Sequence, residues 1–264
     1  MKLLLKIAFD GRDFHGFQAQ AAHRTVQGVL TERLSTLFGE KMNVTGCSRS
    51  DAGVHAEGFV VSVEPSSEHG DDWLKIPASK FHRAANNIFP DDLSVFGAFI
   101  IRDEGFHPRY SVVSKEYVYR ISDSIAPSPF LRGRAFGYGR PLPDEALRDM
   151  NDAAAAFVGE HDFTSFMASG SKITDCTRKV FSAGVERDAA GLVAFSVSAN
   201  GFLYNMVRIM AGTLIDVAEG RRSAQDVGAI IDSCDRSAAG ATLPPDGLYL
   251  REVTYPFPIE WEAD

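Results

Sequence analysis

The order of its hydrophobic patterns constrains this chain more than any other feature. KLLLKIAF (2–9) reads as a strand, and Asp10-Gly11 after it signals a turn. From Val26 the apolar residues fall at 26, 29, 30, 34, 37 and 38, which is helical spacing, with Thr25 placed as N-cap and Gly39 as stop. MNVT (42–45) and FVVSVE (59–64) read as strands, residues 78–88 as a helix, and LSVFGAFIIR (93–102) as a strand. A strand, helix, strand, strand, helix, strand series can bury its apolar faces in only a few ways.

That order is the ferredoxin-like pattern, and the remainder of the chain runs through a similar one. SKEYVYRIS (114–122) and RAFGYG (134–139) read as strands, and Pro143-Asp144 opens a helix through Val158. TRKVFSAGVE and LVAFSVSA form a hairpin turning around Asp188–Gly191. A helix over about 204–218, another near 223–233 and a closing strand in GLYLREVTY follow. The fold class is α+β: two βαββαβ halves, 1–105 and 106–264, with mostly antiparallel sheets and a strand and a helix added to the second. The repetition is of element order, not of sequence. Two such halves are expected to join their sheets or meet across a central cleft, where loops would carry the chemistry.

Composition sets the class of protein. The chain has 264 residues, 45% of them hydrophobic, enough for one large domain or two smaller ones. MKLLLKIAFDG resembles a signal peptide only briefly: its apolar run is short, broken by Lys6, and lacks a cleavage site. No stretch approaches the roughly 20 apolar residues of a membrane span. Cys47, Cys176 and Cys234 are scattered, so no disulfide framework suggests itself, and neither CxxC nor HExxH is present. A cytoplasmic protein without a metal is the expectation. The net charge of −8 argues against a nucleic-acid partner, but Arg102, Arg109, Lys115, Arg120, Arg132, Arg134 and Arg140 cluster against four acidic residues. A local basic face could hold a polyanion; ordinary solvated surface charge explains the same counts.

Three stretches could carry chemistry. GCSRSDAGVHA (46–56) sets Arg49, Asp51 and His55 between two glycines, in the loop between the second and third strands. A partly buried aspartate can serve as nucleophile or base if a cation keeps it ionised, and Arg49 at i−2 lies on the same side of an extended segment. A turn aspartate bonding its own backbone fits the spacing as well. No carboxylate stands near enough in sequence for a paired-carboxylate glycosidase. In KEYVYR, Tyr117 and Tyr119 share a strand face with Lys115; they could stack on a base or simply pack in the core. In NGFLYNMVRIMAG (200–212), Arg208 sits in an otherwise apolar helix start. It must find an anion, Asp51 being one candidate, or snorkel to water.

Seven blocks in order resemble one family, the TruA-type tRNA pseudouridine synthases, over nearly the whole chain. They are FDGRDFHGFQAQ (9–20), TVQGVL (25–30), GCSRSDAGVHA (46–56), FHPRYSVVSKEYVYRI (106–121), GEHDFTSF (159–166), NGFLYNMVRIMAG (200–212) and GLYLREV (247–253). The resemblance implies the pseudouridine synthase fold and the conversion of uridine to pseudouridine in the tRNA anticodon stem-loop. It implies Asp51 as nucleophile, Tyr117 stacked on the target uracil, and Arg208 paired with the aspartate. It also implies Arg49 displacing the target base and Leu248 lining the pocket. Departures are mild: Ser50 stands where threonine is common, Phe9 where tyrosine is, and Phe17 where tryptophan is. Ala19 removes a possible phosphate contact between Gln18 and Gln20.

The implied reaction agrees with the residues. Isomerisation needs no cofactor, and the sequence offers no site for one. It needs a carboxylate kept ionised, which a guanidinium would favour, and a uridine taken out of its stack. The implied partner is tRNA, bound by a homodimer, with no membrane involved. Alternatives stay open on the residues alone. One is a non-catalytic RNA-binding or RNA-folding module on the same scaffold, or a synthase acting at other tRNA positions. Another is an unrelated aspartate-nucleophile hydrolase with His55 or His161 as base.

Overall fold

A computed structural model describes residues 1–67, 70, 72–171 and 173–262; the last two residues of the acidic C-terminal stretch lie outside them. The chain divides into two compact units, Met1–Val113 with Leu250–Asp264, and Ser114–Tyr249. The sequence pattern set the division after residue 105. Residues 106–113 and the end of the chain instead belong to the first unit. Phe106 packs its ring at 5.2 Å from that of Tyr255 and 5.9 Å from that of Phe257, and the Val113 N–H donates to the Thr254 carbonyl.

The first unit contains β1 (Lys2–Phe9), α1 (Val26–Phe38), β2 (Met42–Gly46), β3 (His55–Pro65), α2 (Ala78–Asn86) and β4 (Leu93–Ile101). Its strands lie in the order β4-β1-β3-β2, every pair antiparallel. This is the βαββαβ arrangement that the hydrophobic order predicted. Leu3, Leu4, Leu5, Phe59, Val61 and Val63 are fully buried on its central strands, each side chain stabilising the unit by about 1.5–3 kcal/mol. α1 packs on β2, and α2 on β4. The start of α1 follows its sequence signal: the Thr25 hydroxyl accepts from the Gly28 N–H at 3.2 Å. Its end does too, with Gly39 left-handed at φ 72. β3 runs four residues further N-terminal than its apolar pattern suggested. β1 reaches that far, Phe9 pairing with Ala56, and supplies a ladder partner that HAEG does not announce through alternation.

The second unit contains β5 (Ser114–Ser122), β6 (Phe136–Gly137), α3 (Asp144–Ala155), β7 (Gly159–Asp162), β8 (Thr177–Arg187), β9 (Val193–Ala199), α4 (Met206–Ala218) and α5 (Asp226–Ser233). The strand β10 (Leu248–Thr254) then leads from the second unit back to the first. Strands β5-β9-β8-β7 are antiparallel neighbours, and the short β6 runs parallel to β5. The β8–β9 hairpin closes as predicted: the Asp188 carboxylate accepts from the Ala190 and Leu192 N–H groups, and Gly191 takes φ 83. α4 is buried on nearly every side. A Cβ on Gly212 would lie 1.9 Å from the Ala241 carbonyl oxygen, so only glycine lets residues 240–243 approach the helix backbone. The Thr213 hydroxyl seals that contact, donating to Ile209 O and accepting from Gly240 N–H, both at 2.9 Å. Among the described residues no helix is long and apolar enough to cross a membrane.

Candidate active site

In the first unit the loop between β2 and β3 carries Arg49 and Asp51, and the segment after β1 holds it in shape. The Phe17 N–H donates to the Ser50 carbonyl, and the Gly53 N–H to the Phe14 carbonyl, both at 3.2 Å. The Val54 N–H closes a turn on the Asp51 carbonyl, with Gly53 at φ 80. Gly16, at φ 82, passes so near that a Cβ there would stand 2.5 Å from the Ser50 oxygen. The glycines of FDGRDFHGF and DAGV are thus two sides of one close approach. Beneath them Phe17 stacks on Phe59 at 4.7 Å and Phe9 packs on Phe59 at 5.6 Å. Phenylalanine at positions 9 and 17 therefore serves as a hydrophobic floor. Asp51 itself is half-buried and Arg49 exposed. The Ser50 hydroxyl is buried with no hydrogen-bond partner among the described residues.

His55, next to last in the motif, is 2% exposed. Its Nδ1 accepts from the Gly11 N–H at 3.1 Å and lies 3.4 Å from an Asp10 carboxylate oxygen. Burial works to raise the Asp10 pKa. Hydrogen bonds from the Arg12 side chain and backbone, with the charge of Arg12, outweigh it and hold the group at about 2. His55 thereby ties the end of the Asp51 loop to the turn after β1. A ring so enclosed is a brace rather than a base open to substrate. His161, the other histidine considered as a base, is in the second unit, its Nε2 3.1 Å from the Val158 carbonyl.

In the second unit Tyr117 and Tyr119 share a face of β5 with Lys115, as their spacing predicted, and all three are buried. The two tyrosines differ in environment. Tyr119 is sealed, its hydroxyl donating to the Pro244 carbonyl at 2.8 Å, and burial drives its pKa up, so it stays protonated. Core packing is its role. Tyr117 keeps 7% exposure and sets its ring edge-on against Phe202 at 5.0 Å. Leu248, also 7% exposed, opens β10.

Arg208 does not run out to water. Its Nε donates to the Leu243 carbonyl and its Nη1 to the Asn205 side-chain oxygen, both at 2.6 Å. The Leu243 N–H returns a bond to the Arg208 carbonyl at 3.3 Å. The close approach at Gly212 brings that carbonyl within reach. Asn205 sits at φ 60 immediately before α4, a conformation that asparagine tolerates better than most residues. Sequence reasoning missed Asn205; an asparagine directly before an apolar helix was the only signal. The structure thus brings Arg49 and Asp51 together in one unit, and Tyr117, Arg208 and Leu248 within the other.

The description "tRNA pseudouridine synthase" fits residues 153–256 as a family match. A tRNA pseudouridine synthase A of Ruminiclostridium cellulolyticum is 41% identical over 96% of this chain and 99% of its own length. The chain belongs to the tRNA pseudouridine synthase A family. A second relative of that name, from Bacillus subtilis, is 40% identical over 97% of this chain and 99% of its own. Among solved structures, one of a Cbf5-Nop10-Gar1 complex aligns with 94% of this chain and 58% of that chain. Its TM-score is 0.36 at 11% identity, a likeness too loose to bear on the fold. Family membership leaves the unrelated hydrolase without support.

Proposed function

We propose that this chain isomerises uridine to pseudouridine in the anticodon stem-loop of tRNA, as a cytoplasmic homodimer, with the Asp51 carboxylate as nucleophile. The observation that carries this reading is 40–41% identity, over 96–97% of the chain, with synthases of that name, joined to a loop that hydrogen bonds from the segment after β1 hold in shape around Asp51. Asp51 attacks the ribose C1′ while the N1–C1′ electron pair leaves with the uracil. The base turns, C5 forms the new bond to C1′, and the carboxylate is released. The proton lost at C5 is matched by one gained at N1, so nothing is consumed.

Each remaining residue answers one need of that sequence. Unstacking the uridine costs a few kcal/mol, and Arg49, exposed beside the nucleophile, would fill the space that the base leaves. Tyr117 offers a ring face for the displaced uracil, and Leu248 an apolar wall. Arg208, held by two hydrogen bonds, is the fixed positive charge of the substrate site. Binding draws on phosphate contacts, which explains how a chain of net charge −8 holds RNA.

The test is pseudouridine content in tRNA incubated with the purified chain, read by nuclease digestion and chromatography. Wild type is expected to form pseudouridine at anticodon-arm positions and Asp51→Asn to form none. Tight tRNA binding by wild type with no product would return the reading to a non-catalytic RNA-binding module.

A further inference from the structure

Beside the Asp51 loop, and wholly within the first unit, lies a pocket of about 190 Å³ of which the catalytic reading uses Arg49 alone. Phe17, Gln18, Arg49, His107, Arg109 and Tyr110 are among the residues that line it, and none of its described lining residues is acidic. In a chain of net charge −8 that local balance is unusual. Neither Arg49 nor Arg109 has a carboxylate partner among the described residues. Two unpaired guanidiniums around a concave site call for an anion.

The pocket also holds an aromatic ring out of place for a packed core. Tyr110 is 77% exposed. Its ring lies against His107 at 4.4 Å, and the Arg109 guanidinium stands 5.7 Å from its centroid. The turn that presents it is already locked. Ser111 N–H donates to the His107 carbonyl at 2.9 Å, His107 N–H to the Ser111 hydroxyl at 3.1 Å, and Arg109 N–H to the His107 Nδ1 at 3.1 Å. That last bond places the proton of a neutral His107 on Nε2, as a donor. Burial, then the charges of Lys2 and Arg109, push the His107 pKa down, so the ring adds no charge. A ligand meeting this turn would lose little entropy in ordering it.

We propose that this pocket is a subsite for the nucleotide next to the target uridine, its phosphate held by Arg49 and Arg109 and its base stacked on Tyr110. A phosphate and a base π-face together match what the pocket offers, where a free anion would leave the ring unused. Arg49 lies two residues from Asp51, at most about 7 Å along the chain, which sets the subsite one nucleotide from the reacting ribose. The inference rests on the synthase reading above and adds a sequence-tolerant contact that holds the strand beside the reacting nucleotide.

The test measures steady-state turnover of tRNA by wild type, Tyr110→Ala, Tyr110→Phe, Arg109→Gln and Arg109→Lys. It adds synthetic stem-loops made abasic at one flanking position at a time. Tyr110→Ala is expected to raise KM about tenfold, the range of one stacked base, with kcat within about threefold of wild type. Tyr110→Phe should keep the wild-type KM, and Arg109→Lys should recover part of what Arg109→Gln loses. One abasic position should cost wild type the same factor and cost Tyr110→Ala nothing further. Wild-type KM in both Tyr110→Ala and Arg109→Gln would overturn the subsite while leaving the synthase reading intact. So would penalties that add at every abasic position. Absence of wild-type turnover would instead overturn the synthase reading.

Discussion

The Arg208 guanidinium reaches back one helical turn to Asn205, whose side-chain oxygen it meets at 2.6 Å, while Asn205 holds a left-handed backbone at φ 60. One residue therefore turns the chain into α4 and fixes the charge on its first turn. Asn205→Gly should keep the turn and lose the bond, costing about 1 kcal/mol. Asn205→Ala adds the left-handed penalty, for about 2 kcal/mol in all. Both should lower kcat at least tenfold. Urea midpoints and turnover measured together check this, since a purely structural Asn205 would leave the glycine variant active.

Asp51→Asn should bind tRNA within a few-fold of wild type and form no pseudouridine. The amide keeps the side chain's size and hydrogen-bonding capacity but is no nucleophile. Filter binding beside the nucleoside assay reads both. Measurable turnover by the asparagine chain would remove Asp51 from the chemistry.

Gly16→Ala should damage the Asp51 loop from outside it. The new Cβ would press on the Ser50 carbonyl at 2.5 Å, from a backbone at φ 82 that disfavours alanine. A loss of about 2 kcal/mol and most of the activity is expected, with the melting temperature and turnover as readouts. Gly137→Ala, where a Cβ meets nothing within 4 Å, is the control.

Asp10 predicts an acid limb in stability. Its folded pKa, about 2, lies below the ordinary aspartate value of 3.8. Its contribution is therefore present above pH 4 and lost as pH falls towards 2. Allowing for solvent screening, that contribution is about 1 kcal/mol. Urea unfolding of wild type and Asp10→Asn should differ at pH 5 and converge near pH 2. A constant difference across that range would contradict the assignment.

Affinity for tRNA should fall steeply with salt, because phosphate contacts release counterions. Arg49→Gln should lower the slope of log K against log[salt] by about 1. An unchanged slope would mean that Arg49 touches no phosphate.

Local chemistry accounts for what was legible in advance. Thr25 and Gly39 bracket α1 because capping and left-handed turns depend on one residue type at one position. The alternation in SKEYVYRIS placed Tyr117 and Tyr119 on one face. The Asp51 loop stood out as a candidate because glycines, a carboxylate and a guanidinium meet in eleven residues, although an ordinary turn fits the same spacing. Other features depend on partners distant in the chain. β3 starts at His55 because β1 extends alongside it, Phe9 pairing with Ala56. Residues 106–113 join the first unit because Phe106 finds Tyr255 and Phe257, about 150 residues away in the chain. α4 begins at Met206 rather than Tyr204 because Asn205 turns left-handed before it.

Sequence alone determined the element order and the antiparallel βαββαβ core and singled out Asp51 as the candidate carboxylate, since periodicity and residue chemistry are local properties. Only the tertiary structure decided which of two equivalent-looking tyrosines is sealed, what holds Arg208, and that Gly16 shapes the loop around Asp51. Those outcomes turn on distances between segments that are far apart in the chain, and spacing within a segment carries no information about them.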